Sequence, residues 1–255
     1  MTGHLRGRCA IRPSTTTRRV VGPREGWLLP AVLSTTAGSV DVIGFMGLGG
    51  LFTAHITGNL VVVAAHYVTG GFSEIGPLLS VPVFIVVLGV VTMAALAVQK
   101  AASATRRALL VVHAGLLAGC LGVAVGFGPF TDANRPMAVL VGMLAVAAMA
   151  TQNALVKLAL PGLPSTAVMT TNTTQLTVDL ATLARGVGNP DDLARTRRRA
   201  SLTFPCVVGF VAGCAAGAAL VVHFGLRALV LPVLLAMVAV VLGELRGDRT
   251  AMAPD

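Results

Sequence analysis

The sequence predicts an all-α integral membrane protein: six transmembrane helices plus two polar broken or re-entrant helical segments, arranged as two internal repeats. Three observations predict it. Of the 255 residues, 55% are apolar and only 11% charged, with a mean hydropathy of +0.84, which leaves too little polar surface to cover a soluble domain of this length. Six apolar runs each approach the roughly 20 residues a helix needs to cross a hydrocarbon core of about 30 Å. Between them lie two polar stretches that align on one another. Alternation suited to a barrel is absent, and backbone in lipid must satisfy its own hydrogen bonds, so the spans are helices.

Residues 1–26 carry Arg6, Arg8, Arg12, Arg18, Arg19 and Arg24 without an apolar core. That pattern fits a disordered basic cytoplasmic tail and not a cleavable signal peptide. A single membrane domain follows over 27–243, with spans at Trp27–Met46, Leu79–Val98, Ala108–Phe127, Met137–Val156, Leu202–Val222 and Phe224–Leu242. Residues 244–255 form a short second cytoplasmic tail.

The status of the polar stretches, Leu51–Gly70 and Ser165–Ala184, decides the topology, and the excess of Lys and Arg on the cytoplasmic side tests it. If neither crosses, 17 of the 19 basic residues fall inside and only Arg135 and Arg227 outside; if both cross, the division is 14 to 5. Six spans with both termini cytoplasmic is therefore the reading, with eight spans, four plus four, as the alternative.

A shift of 113 residues lays Gly49–Asn59 ("GGLFTAHITGN") over Gly162–Asn172 ("GLPSTAVMTTN"). Gly49, Thr53, Ala54, Thr57 and Asn59 then meet Gly162, Thr166, Ala167, Thr170 and Asn172. Further on, His66 falls over Asp179 and Thr69 over Thr182. Repeat one covers about 27–127 and repeat two about 137–243. With three spans and one polar stretch each, the halves are related by inversion in the membrane plane, a transporter or channel plan.

The run Ala37–Val61 holds Asp41 in the first span, the glycines Gly47, Gly49 and Gly50, then Phe52-Thr53 and Thr57-Gly58-Asn59. It is followed by Met149–Leu176 with the Gln152-Asn153 pair. This pattern, over roughly Trp27 to Leu242, resembles the bacterial YoaK family of membrane proteins, a domain of unknown function. Thr170-Thr171-Asn172 departs from the family's second motif, which usually repeats Thr-Gly. The resemblance implies a polytopic inner-membrane protein and supplies no substrate.

A charge at mid-membrane costs at least about 2.5–3.5 kcal/mol, so Asp41 needs a partner or a water-filled cavity. On a helix it shares a face with Ser34 and Gly38. Asn172, Gln175, Asp179 and Thr182 are spaced three, four and three apart and stack on one helical face; Asn59, Val62, His66 and Thr69 form the equivalent face. Asn59 and Asn172 each follow a Gly or Pro break, where a helix start would aim free N–H groups at a solute. The two asparagine regions are expected to approach one another at the bundle centre.

The candidate solute or ion pathway is thus Asp41, Thr53, His55, Thr57, Gly58, Asn59, His66, Gln152, Asn153, Thr170, Asn172, Gln175 and Asp179. The bland alternative is that these groups bond neighbouring helices, worth about 0.6 kcal/mol each. The function read is a small-solute or ion transporter or channel, with a non-transporting membrane scaffold or regulatory protein as the alternative.

Other chemistry is weakly represented. Cys9, Cys120, Cys206 and Cys214 lack paired metal spacing and read as small core residues. No His/carboxylate zinc motif, nucleophile motif or phosphate loop is present, so neither an enzyme, a metal nor a cofactor is expected. The small residues of Gly209–Gly217 permit close helix packing within the bundle. The pI near 10.9 reflects basic residues strung along loops, Arg195–Arg199 above all. Their expected partner is the anionic headgroup surface of the cytoplasmic face and not nucleic acid.

Overall fold

The computed structural model describes residues 26–69, 75–98, 102–186 and 188–251. Nearly all of the tail expected at 1–26, and the last residues of the one expected at 244–255, lie outside them. The described chain is helical, and no strand occurs among the described residues: α1 Leu28–Gly47, α2 Ile56–Thr69, α3 Ile75–Val98, α4 Ala102–Phe127, α5 Pro136–Ala159, α6 Met169–Arg185, α7 Pro190–Phe224, a 3-10 turn Gly225–Leu229, and α8 Val230–Ala251. Four of these, α1, α3, α4 and α5, are long and apolar enough to cross a membrane, as is the segment 190–246. The 3-10 turn divides that segment into α7 and α8, so the six apolar runs of the sequence each become a helical arm. The outward side chains are those that lipid accepts: Ile85, Val86, Val90, Met93 and Leu96 of α3 are all exposed. The chain is a multi-pass membrane protein.

Helix directions follow from side-chain neighbours. Gly26 lies by Leu202, Gly38 by Phe210, Gly217 by Ser39 and Val42, and Gly47 by Leu226, so α1 and α7 run parallel. The small residues make this seam tight. A Cβ on Gly213 would stand 2.1 Å from the Thr35 carbonyl oxygen, and one on Gly38 would stand 2.2 Å from that of Phe210. The small-residue repeat of α7 therefore packs inside the bundle, where a membrane helix pair gains most of its attraction from close contact. Arg107 of α4 pairs with Glu244 of α8 at 2.8 Å, and Leu110 meets Gly243, which makes those helices antiparallel. His113 and Cys120 of α4 reach the Ala148 and Val141 carbonyls of α5, an antiparallel pair again.

The starts of α1, α4 and α7 and the ends of α5, α6 and α8 therefore gather at one end. That end carries Arg106, Arg107, Lys157, Arg185 and Arg195–Arg199, while Arg135 and Arg227 stand at the other. We call it the basic end. The interior divides into two apolar clusters, one towards the basic end around Leu33, Leu110, Leu155 and Ala239, and one beyond it around Ile43, Leu117, Val141 and Met149. Packing is paired: α1 lies on α7 and α8, α5 on α3 and α4, α4 on α8, α2 on α3, and α6 on α7. Exchanging α1–α4 for α5–α8 swaps these pairs among themselves and maps α4 on α8 onto itself.

Candidate functional site

Two short helices, α2 and α6, begin inside the bundle. After α1 ends at Gly47 the chain turns back through Gly49 and Gly50, at φ 64° and 77°, a left-handed backbone that glycine adopts without penalty. The Leu51 carbonyl then passes so close to α1 that a Cβ on Gly44 would lie 2.9 Å from it. Residues 52–55 come to rest beside Asp41, six residues or about 9 Å below the end of α1.

Asp41, 4% exposed, holds them there. Its Oδ1 accepts the Thr53 and Ala54 N–H groups at 2.7 and 2.8 Å, with the Thr53 hydroxyl at 3.3 Å and the His55 N–H at 3.5 Å. Its Oδ2 lies 2.8 Å from His55 Nδ1. α2 starts at Ile56, so a carboxylate from another helix takes the amide groups at its threshold and faces the positive end of its dipole. The sequence left Asp41 either a partner or a water-filled cavity; the structure gives it a partner, the start of α2. Within the same turn, Asn59 receives the Phe52 N–H on Oδ1 at 2.9 Å, and its Nδ2 donates to the Phe52 carbonyl and to Ser80 Oγ of α3, both at 2.7 Å. Phe52 packs over Gly58 and stacks against Phe45, with ring centres 4.8 Å apart.

A second turn lies towards the basic end. Gly162, in register with Gly49, has φ 82°, and the chain folds back along α5. Gln152 Nε2 donates to Thr166 Oγ1 at 2.8 Å and to the Leu33 carbonyl of α1 at 3.0 Å. Its Oε1 is buried without a partner among the described residues. Asn172 Nδ2 donates to the Ser165 carbonyl at 2.5 Å. Phe52 and Asn59 stand 113 residues before Ser165 and Asn172, so the amide-to-loop bond occurs at the same position in both halves. The acid does not recur: Ala154 stands 113 residues after Asp41, and the N–H of Val168, ahead of α6, is taken by Ser165 Oγ at 3.0 Å.

Of the sequence-derived candidates, Asp41, Thr53 and His55 form one group and Gly58 and Asn59 adjoin it. Gln152 and Asn172 hold the second turn. Gln175 and Asp179 belong to a separate cluster nearer the basic end, where Gln175 donates to Asp179 at 2.9 Å and Arg199 of α7 grips the same carboxylate through Nε, at 2.8 Å, and Nη2. Asn153 donates to the Met149 carbonyl of its own helix, Thr57 and Thr170 are exposed, and His66 lies half-buried towards the outer end of α2. Among the described residues the two asparagines share no hydrogen-bond partner. Arg199, grouped by sequence with the lipid-facing run Arg195–Arg199, is instead the partner of buried Asp179. Thr166 was visible in the 113-residue alignment; Ser80 and the Leu33 carbonyl gave no signal, because a lone serine and a backbone group carry no pattern.

A family model described as "Protein of unknown function (DUF1275)" matches residues 29–242. No curated protein and no solved structure matches the chain.

Proposed function

The chain belongs to the DUF1275 family, and on that footing we propose that it is a small-solute or ion transporter or channel of the inner membrane. Its basic end faces the cytoplasm in this reading, which the excess of Arg and Lys there supports. The observation that carries the reading is the pair of half-helices entering from opposite ends. Each starts inside the bundle, and each has its fourth residue, Asn59 or Asn172, tied to the carbonyl seven residues earlier. Inverted halves with broken helices build solute sites at the membrane centre from helix starts and irregular backbone, and backbone of that kind is tolerated at depth only where protein or water encloses it. The duplication, the YoaK-like motif over Ala37–Val61 and the exchange of packing pairs all support this plan. Asp41 with His55 is the ionisable pair within the turn, and the His55 side chain remains 38% exposed. We assign to that pair the coupling of a proton or cation.

One observation favours a second reading, a scaffold that moves nothing: Thr53, Asn59 and Gln152 are 0% exposed and Asp41 4%, each bonded to protein. Reconstitution decides between them. Purified protein in liposomes is tested for flux of neutral solutes by light scattering and of ions by capacitive currents, with Asn59→Leu as the paired variant. Transport requires flux above empty liposomes that the variant loses. A full panel without flux, from protein shown to be folded, leaves the scaffold.

A further inference from the structure

We infer that the groove between α1 and α7 at the basic end is a binding site for one anionic phospholipid. The groove has a volume of about 570 Å³. Trp27 and Ser201 stand at its mouth, Phe204, Pro205 and Val208 line its length, and Ala31 and Gly209 close it where the two helices meet. A Cβ on Gly209 would lie 2.8 Å from the Ala31 carbonyl oxygen, so the groove ends at a locked crossing and does not close by helix sliding. From Ser201 to Val208 it runs seven residues, about 10 Å along α7, and beyond Ser201 its wall is apolar. An acyl chain suits that wall.

The mouth suits a headgroup. Arg197 and Arg198 stand four and three residues before Ser201, which continues the groove's stripe one turn towards the basic end; Arg197 is exposed and Arg198 half-buried. Two guanidinium groups are matched to phosphate oxygens. Trp27 is 37% exposed, and a tryptophan at that depth marks the interface between headgroups and hydrocarbon. Pro205 has no N–H to give the Ser201 carbonyl one turn below, so the mouth also offers an acceptor for a headgroup hydroxyl. The chain's own residues 1–25 make a poor occupant on charge: they hold six arginines against Glu25 and would add positive charge to positive charge.

The chain's single tryptophan lines this groove, so it reports occupancy directly. Full-length protein is reconstituted in vesicles with increasing mole fractions of brominated phosphatidylglycerol or brominated phosphatidylcholine, and quenching of Trp27 is followed. The site predicts half-quenching at a several-fold lower fraction for phosphatidylglycerol. Arg197→Gln and Arg198→Gln each lower that preference about fivefold, from the contribution of one basic residue near an anionic surface, while Arg195→Gln, off the stripe and paired with Asp192, changes it less than about twofold. Val208→Phe, which fills the groove, raises the fraction needed for both lipids. Equal quenching by the two lipids overturns the inference. So does a preference lost equally on Arg195→Gln, which means diffuse attraction, and so does absence of quenching by either lipid, which means the groove is filled by the chain itself. The wild-type comparison stands even where a variant fails to fold.

Discussion

Replacing Asp41 separates its charge from its shape. In Asp41→Asn an amide oxygen still receives the Thr53 and Ala54 N–H groups, which lie 2.7 and 2.8 Å from the native carboxylate oxygen, but the acceptor is now neutral. Bonds to a charged group contribute about 1.5–3 kcal/mol and neutral ones about 0.5–1.5, so the two together lose about 2 kcal/mol. His55 Nδ1 turns its lone pair to the new amide and keeps a bond. In Asp41→Ala both amides stay in the bundle without an acceptor, Thr53 being 0% and Ala54 9% exposed; at about 1–3 kcal/mol for each stranded donor, about 4 kcal/mol is lost. At roughly 2–4 °C per kcal/mol for a chain of this size, the midpoint falls about 6 °C for Asn and about 12 °C for Ala. Cys120 and Cys206 are 0% exposed, so a fluorogenic maleimide reads unfolding in detergent as they become accessible. An Ala variant melting within about 2 °C of wild type, or an Asn variant melting below Ala, would refute the role of Asp41 as the anchor of α2.

Gly213→Ala places a methyl 2.1 Å from the Thr35 carbonyl oxygen, which forces α1 and α7 apart by roughly 1 Å towards an ordinary contact of about 3.3 Å. It costs about 1–3 kcal/mol, whereas Gly119→Ala, with open space around it, changes the same melting midpoint by less than about 2 °C. Asn59→Ala removes three hydrogen bonds, and Asn172→Ala one to the Ser165 carbonyl and a weak one to Met169 Sδ, so denaturant unfolding ranks Asn59→Ala as the more damaging, by about 1–2 kcal/mol. A double-mutant cycle on Asp179 and Arg199, whose side chain is 53% exposed, returns a coupling of about 0.5–1 kcal/mol that shrinks with added salt; a zero coupling at low salt removes the pair from the account of α6. Single cysteines at 189 and 227 report topology: an impermeant reagent outside intact cells labels the second and spares the first, and the reverse pattern inverts the orientation.

The helical spans were legible because lipid imposes a one-dimensional rule: length and apolarity decide what crosses, and runs such as Leu79–Val98 and Met137–Val156 satisfy it without reference to any neighbour. The half-helices were legible in outline, since Gly49 and Gly162 announce the turns and Asn59 and Asn172 recur at one spacing. Even the packing of Gly209, Gly213 and Gly217 followed from residue size. What those polar groups touch was not. A carboxylate inside a bundle has several ways to be satisfied, and only the fold-back of Leu51 across Gly44 brought the Thr53 and Ala54 amides to Asp41 instead of a cavity. Arg199 reads like its neighbours in a basic run until α6 lies along α7 and presents Asp179. Gln152 reaches a carbonyl of α1, 119 residues away in sequence, and no local pattern encodes such a partner. Burial in lipid is a property of each segment by itself; a buried hydrogen bond is a property of two segments at once, and is decided where the chain brings them together.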